Sequence, residues 1–170
     1  EAGLLYGVYC LLRMQAAGQV TVPLSVTEQP VYDLRILNHW DNPDGTVERG
    51  YAGRSLWNWE ELPGTLSPRY EAYARANASV GINGTVLNNV NASPQVLATG
   101  SLEKVKALAD VFRPYGIKVY LSVNFASPIQ LGKLDTADPL DKEVIRWWRR
   151  KVKEIYTLIP DFGGFLVKAN

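Results

Sequence analysis

The chain has 170 residues, of which 46% are hydrophobic and 21% charged, and its formal net charge is +1. That balance suits a globular domain able to bury roughly 70% of its unfolded surface, and it provides no basic field for nucleic acid or for a polybasic membrane contact. A single cysteine, Cys10, excludes an internal disulfide, a single histidine, His39, excludes the common zinc clusters, and no apolar run approaches the ~20 residues of a membrane span.

Residues 1–15 carry Leu4, Leu5, Val8, Leu11 and Leu12 at helical spacing, with Arg13 suited to the C-terminal dipole and Gly18 placed to end the helix. The segments 20–22 and 24–27 read as short strand material, broken by Gln29-Pro30. The chain opens directly in a helix and stops straight after an apolar run, so it reads as an internal fragment. Residues 1–30 are expected to be the C-terminal remnant of an N-terminal α/β domain, and 31–170 a second unit.

Within the second unit one pattern recurs. A strand is expected at 33–37, then a long loop, then a helix with Ser67 as N-cap, Pro68 at its first position, Tyr70, Tyr73, Ala74 and Asn77 on one face, and Gly81 past its end. A second strand at 84–87 ends in Asn88-Asn89-Val90-Asn91. Ser101 is expected to cap the next helix, whose stripe is Leu102, Val105, Leu108, Ala109 and Phe112, with Pro114 and Gly116 stopping it. A third strand at 117–123 ends in Asn124. A helix starting at Asp138-Pro139 presents Val144, Trp148, Val152, Ile155 and Ile159, and a fourth strand at 164–167 ends at Lys168.

Strands without period-2 alternation, separated by helices, predict a parallel sheet covered by helices. Each strand ends in polar residues (Asn38, Asn88, Asn124, Lys168), which is the edge where a (β/α)8 barrel builds its active face. A doubly wound sheet also binds there, but usually at one switch point, and no G-x-G-x-x-G follows the first strand. The expected fold is therefore α/β, the first half of a (β/α)8 barrel with about four strands and three helices.

The first strand opens into the stretch 38–59, rich in aromatics and hydrogen-bonding groups. Trp40, Trp57, Trp59 and Tyr51 suit the apolar faces of sugar rings. For Trp57 and Trp59 the plainer reading, anchors for a long loop, is favoured. Trp40, at the strand end, is assigned to the site. Asn38, Asn88, Asn89, Asn91 and Asn124 match a polyol without charge, although asparagine also ends strands because it tolerates turns. Asp41, Asp44 and Glu48 are candidate carboxylates or calcium ligands whose spacing does not fit an EF-hand; Asp44-Gly45 is most simply a turn. Three glycosylation-like triplets, at Asn77, Asn83 and Asn91, are set aside because they fall on a helix, a strand start and the presumed pocket. Trp147-Trp148-Arg149-Arg150 reads as core packing with a solvated face. Lys168, after a buried strand, suits an acidic substrate group, a Schiff base, or a structural ion pair.

The stretches LRILNHWDNPDGTVERGYAGRSLWNW, ARANASVGINGTVLNNVN, FRPYGIKVYLSVNFASP and PDFGGFLVKAN, together with LLYGVYCLLR near the start, closely resemble glycoside hydrolase family 67, the α-glucuronidases. The resemblance implies a (β/α)8 catalytic barrel that hydrolyses, with inversion, the α-1,2 bond between 4-O-methylglucuronic acid and xylose in xylo-oligosaccharides during xylan degradation. It implies no metal or organic cofactor. It also implies that Trp40 and Val90 flank the uronic acid's C4 substituent and that Lys168 helps bind its carboxylate. Asn89, Asn91 and Asn124 join them as substrate-binding residues. The general acid is expected two residues past Asn170 and the base further on, so the segment alone is expected to be inactive. A homodimeric parent is compatible with the resemblance. So is a cytoplasmic or periplasmic location in a bacterium, or secretion from a fungus. Two rival readings stay open at this point: an aldolase-like lyase using Lys168, and a sugar-binding module without catalysis.

Overall fold

The structure is a computed structural model and describes residues 2–20, 22, 24–91 and 93–167. Among these residues the elements in order are α1 (Ala2–Ala16), β1 (Ile36–Asn38), α2 (Pro68–Ser79), β2 (Gly84–Val86), α3 (Thr99–Phe112), β3 (Lys118–Ser122), α4 (Ser127–Gln130), α5 (Lys142–Leu158) and β4 (Gly164–Leu166). Short 3-10 turns occupy Pro94–Leu97 and Arg113–Tyr115. No described helix is long and apolar enough to cross a membrane.

The four strands form one sheet in the order β1-β2-β3-β4, every pair parallel. Ile36 pairs with Gly84, Val86 with Tyr120, and Tyr120 with Gly164. Parallel neighbours require crossovers, supplied by α2, α3 and α5. Successive strand residues face opposite sides. On the helix side Leu87, Val119 and Leu121 join Ala74, Leu102, Val105, Leu108, Phe112 and Ile155 in the core. The expected stripe of α3 is buried in full.

On the other side small and large residues alternate. Tyr120 lies across three glycines: a Cβ at Gly84 would stand 2.8 Å from its ring, one at Gly163 2.4 Å, and one at Gly164 3.7 Å. The ring fills the room those missing side chains leave, and burial raises the pKa of its phenol.

Local signals explain several boundaries. Ser67 caps α2, its Oγ accepting from the Arg69 N–H at 3.3 Å, with Pro68 at the first position. Gly18, Gly81 and Gly116 stand at φ 66°, 81° and 69° past helical segments, the left-handed stop that glycine takes most easily. Other boundaries differ from expectation. Helix α3 starts at Thr99, not at Ser101, because the Ala98 carbonyl already accepts from Ser101 and Leu102 at 2.9 Å each. Helix α5 starts at Lys142: Asp141 accepts from the Glu143 and Val144 N–H groups, while Asp138 is spent on a separate turn to Leu140. Trp147, rather than Trp148 or Val152, completes its buried face. The segments 20–22 and 24–27 form no strand among the described residues, for no partner strand runs beside them. Helix α1 forms, yet none of its residues is fully buried; Leu5 and Tyr9 only lean on the core.

Candidate functional site

The carboxyl ends of β1, β2 and β3 lie side by side, so the segments that follow them meet along one edge. After β1 the chain makes a long loop, residues 39–67, and this loop is tied down rather than free. Trp57, 1% exposed, donates its indole N–H to the Leu87 carbonyl at 3.0 Å and packs edge-on against Tyr70, Tyr73 and Phe112. A buried tryptophan takes about 200 Å² out of water, an upper-bound gain of about 5 kcal/mol, enough to hold a loop of this length. Trp59 and Leu62 are buried beside it. The loop-anchor reading of Trp57 and Trp59 therefore describes what they do.

Polar groups fasten the loop's near half. Asp41, 4% exposed, accepts from Ser55 Oγ at 2.7 Å and the Leu56 N–H at 2.6 Å. Its carboxylate is thus committed to the loop. Asp44 accepts from the Thr46 N–H at 2.9 Å and Oγ1 at 2.6 Å, and these bonds hold its carboxyl below the usual range; Gly45 follows at φ 82° as a turn. Glu48 sits at φ 60°, 3.6 Å from Arg49. His39 is held between Trp57 and Tyr73, its Nε2 2.7 Å from the Tyr73 hydroxyl, and burial lowers its pKa although Asp41 opposes the shift. Nothing in the residue pattern announced this His39–Tyr73 pair, because its members are separated by the whole loop.

The expected site residues are placed as follows. Trp40 is 36% exposed, with its carbonyl accepting from the Glu48 N–H at 2.9 Å. Val90 is half-buried and Asn91 exposed in the turn after β2. Asn89 is 2% exposed, its amide bonded to Asn42 Oδ1 at 3.1 Å and the Glu48 carbonyl at 2.8 Å. Asn124, half-buried after β3, accepts from the Ala126 N–H at 2.8 Å. Asn38 is exposed. Asn88 is 1% exposed and bonds across to β3, donating to the Ser122 carbonyl at 3.1 Å and accepting from the Ser122 N–H at 2.8 Å. That amide continues the sheet ladder where backbone pairing stops. Lys168 lies outside the described residues. Among the described residues no three His, Cys, Asp or Glu side chains gather as a metal cluster would require.

A cavity of about 1130 Å³ lies elsewhere, lined by Tyr6, Cys10, Met14, Val26, Arg35 and Val80. Arg35 and Gly81 precede β1 and β2, which puts it at the opposite edge of the sheet. Its lining mixes apolar side chains with Arg13, Glu28 and Arg35, and Arg13 and Arg35 are bonded to the Ser79 and Gly81 carbonyls, so the edge bearing Trp40 remains the candidate site.

A parallel sheet with helices on one face and an aromatic, amide-rich rim at its carboxyl edge defines an α/β protein of the kind that binds ligand beyond its strand ends. Within that class the family is shown by the match of residues 14–170 to the model described as "Glycosyl hydrolase family 67 middle domain". The chain belongs to glycosyl hydrolase family 67. It is 48% identical over 171 residues to the "Probable alpha-glucuronidase A" of Neosartorya fischeri and 47% identical over 171 residues to that of Aspergillus clavatus. It is 45% identical over 175 residues to the "Alpha-glucuronidase A" of Emericella nidulans. In each case the whole chain aligns and spans 20% of the relative's length.

Proposed function

We propose that the parent of this chain is an α-glucuronidase that releases α-1,2-linked (4-O-methyl)glucuronic acid from xylo-oligosaccharides by inverting hydrolysis. In this reading residues 31–170 are the first half of its (β/α)8 barrel and residues 1–30 the end of a preceding α/β domain. The observation that carries it is the sheet order β1-β2-β3-β4, all parallel, with polar segments after successive strands. A barrel adds strands in sequence order, whereas a doubly wound sheet reverses direction at a switch point.

Trp40 and Val90 form the apolar wall of the pocket, with Asn91 and Asn124 as its amide rim and Lys168 as the partner of the uronic carboxylate; Asn89, expected from the sequence to bind substrate directly, lies buried behind that wall. A carboxylate entering a desolvated pocket needs such a cation. An inverting pair needs two carboxyl groups roughly 6.5–9.5 Å apart. In this reading the acid and base lie beyond residue 170, as the family resemblance implies, while Asp41 and Asp44 serve the loop that carries them.

The test is Lys168→Ala in the full-length parent. Loss of the charged pair is expected to cost about 2–5 kcal/mol in kcat/KM on an aldouronic acid. On a substrate whose carboxylate is reduced to an alcohol, wild type is expected to be poor already and the substitution to add little. Equal losses on both substrates would refute carboxylate binding. Borohydride trapping of a Lys168 adduct with a carbonyl substrate would establish the lyase instead.

A further inference from the structure

We propose that Asn89 is the positioning residue that sets Trp40 and Val90 against each other, and that it does so without touching the sugar. The proposal rests on the pocket reading given above for Trp40 and Val90.

The side chain of Asn89 is 2% exposed and its bonds are spoken for. An amide has two N–H donors, and Nδ2 gives them to Asn42 Oδ1 at 3.1 Å and the Glu48 carbonyl at 2.8 Å. Oδ1 accepts from the Asn91 N–H at 2.9 Å, and the backbone N–H donates to the Asp41 carbonyl at 2.9 Å. No donor is left for a substrate hydroxyl.

These bonds run in two directions. Toward β1, Asn89 holds Glu48, whose own N–H donates to the Trp40 carbonyl at 2.9 Å. Glu48 adopts φ 60°, which a residue other than glycine keeps only where its surroundings impose it. Asn42 reinforces the hold, donating to the same Glu48 carbonyl and to Thr46 Oγ1 at 2.9 Å each. Toward β2, the bond from the Asn91 N–H closes the turn that presents Val90. One buried amide thus fixes both walls, and networks of this kind act as a unit. Asn89 belongs to the site through the residues it holds.

The experiment is a double-mutant cycle in the full-length parent, assayed on an aldouronic acid, with the fold of each variant checked by circular dichroism. Asn89→Ala should lower kcat/KM by about 10- to 100-fold, mainly through KM, the cost of a misplaced binding wall. In a Trp40→Ala background the same change should add no more than about threefold. Full multiplication of the two losses would overturn the proposal while leaving the pocket reading intact. Unchanged KM in Trp40→Ala alone would overturn the pocket reading itself. Should Asn89→Ala not fold, Asn42→Ala removes one acceptor of the amide and leaves Asn89 in place. It should raise KM in the same direction and by the same non-additive rule, and an unchanged KM there would overturn the proposal.

Discussion

Asn88→Ala tests whether the amides at this edge belong to the sheet or to a ligand. In the folded protein the Asn88 amide meets both the N–H and the C=O of Ser122, at 2.8 and 3.1 Å, with every partner buried. Truncation orphans both backbone groups. Each unsatisfied buried group costs about 1–3 kcal/mol. Removing the amide also removes its own need for partners, so the net loss should be about 2–4 kcal/mol. Asn88→Asp should be worse, since it turns a carboxylate oxygen toward the Ser122 carbonyl in a site without solvent. Ser122→Ala should be mild, because the hydroxyl makes only a 3.3 Å bond to the Asn88 carbonyl. The assay is urea denaturation of the parent together with hydrogen exchange at the Ser122 amide. Loss of protection there should accompany loss of stability, with KM of the folded fraction little moved. If Asn88→Ala keeps its stability within about 0.5 kcal/mol and the Ser122 amide stays protected, the strand-bridging account is wrong.

Two further outcomes follow from titratable groups. Burial depresses the His39 pKa below 6.5, so its stability contribution is complete above pH 6.5 and is lost as the pH falls from there through the folded value; His39→Leu should flatten that acid limb in melting curves taken between about pH 5 and 8. Arg113 joins the end of α3 to Asp161 at 2.8 Å and also meets Asp110, raising its own pKa and lowering those of both carboxylates. The guanidinium is 43% exposed, so Arg113→Ala should cost no more than about 0.5–1 kcal/mol at low salt and almost nothing at 1 M salt, read by thermal melts at both ionic strengths.

Much of the architecture was legible because its causes are local or periodic. Ser67-Pro68 starts a helix through its own backbone geometry, and Leu102, Val105, Leu108 and Phe112 mark a buried face by spacing alone. Ser93-Pro94 starts the short turn at Pro94–Leu97 in the same way, whereas in Ser127-Pro128 the serine is already the first residue of α4 and its Oγ donates to the Asn124 carbonyl instead of capping. Trp147 and Trp148 show where periodicity stops. Both flank the same stripe, and the choice falls to Trp147 because Gly132 leaves room for it: a Cβ there would stand 2.5 Å from the indole Nε1. The asparagines at the strand ends show a second limit. Asn88, Asn89 and Asn124 have identical chemistry, and only the neighbouring strand or loop decides what each amide meets. Asp41 likewise reads as a free carboxylate until Ser55 and Leu56 are folded back onto it.

The seat of Tyr120 restricts the order in which this sheet can change. Its ring occupies the space above Gly84 and Gly163, so a side chain at either glycine would overpack the face by an amount worth about 1–3 kcal/mol. The aromatic must shrink before a glycine can grow. At Gly163 a lineage taking the steps in reverse passes through a strained intermediate, while one that trims Tyr120 first passes through a cavity that the new side chain then fills; at Gly84, Ile36 Cγ1, also 2.8 Å from the added Cβ, must give way as well. Segments far apart in the chain are thereby joined into a single heritable unit, with the Tyr120 ring deciding what is reachable at Gly163 and sharing that decision with Ile36 at Gly84.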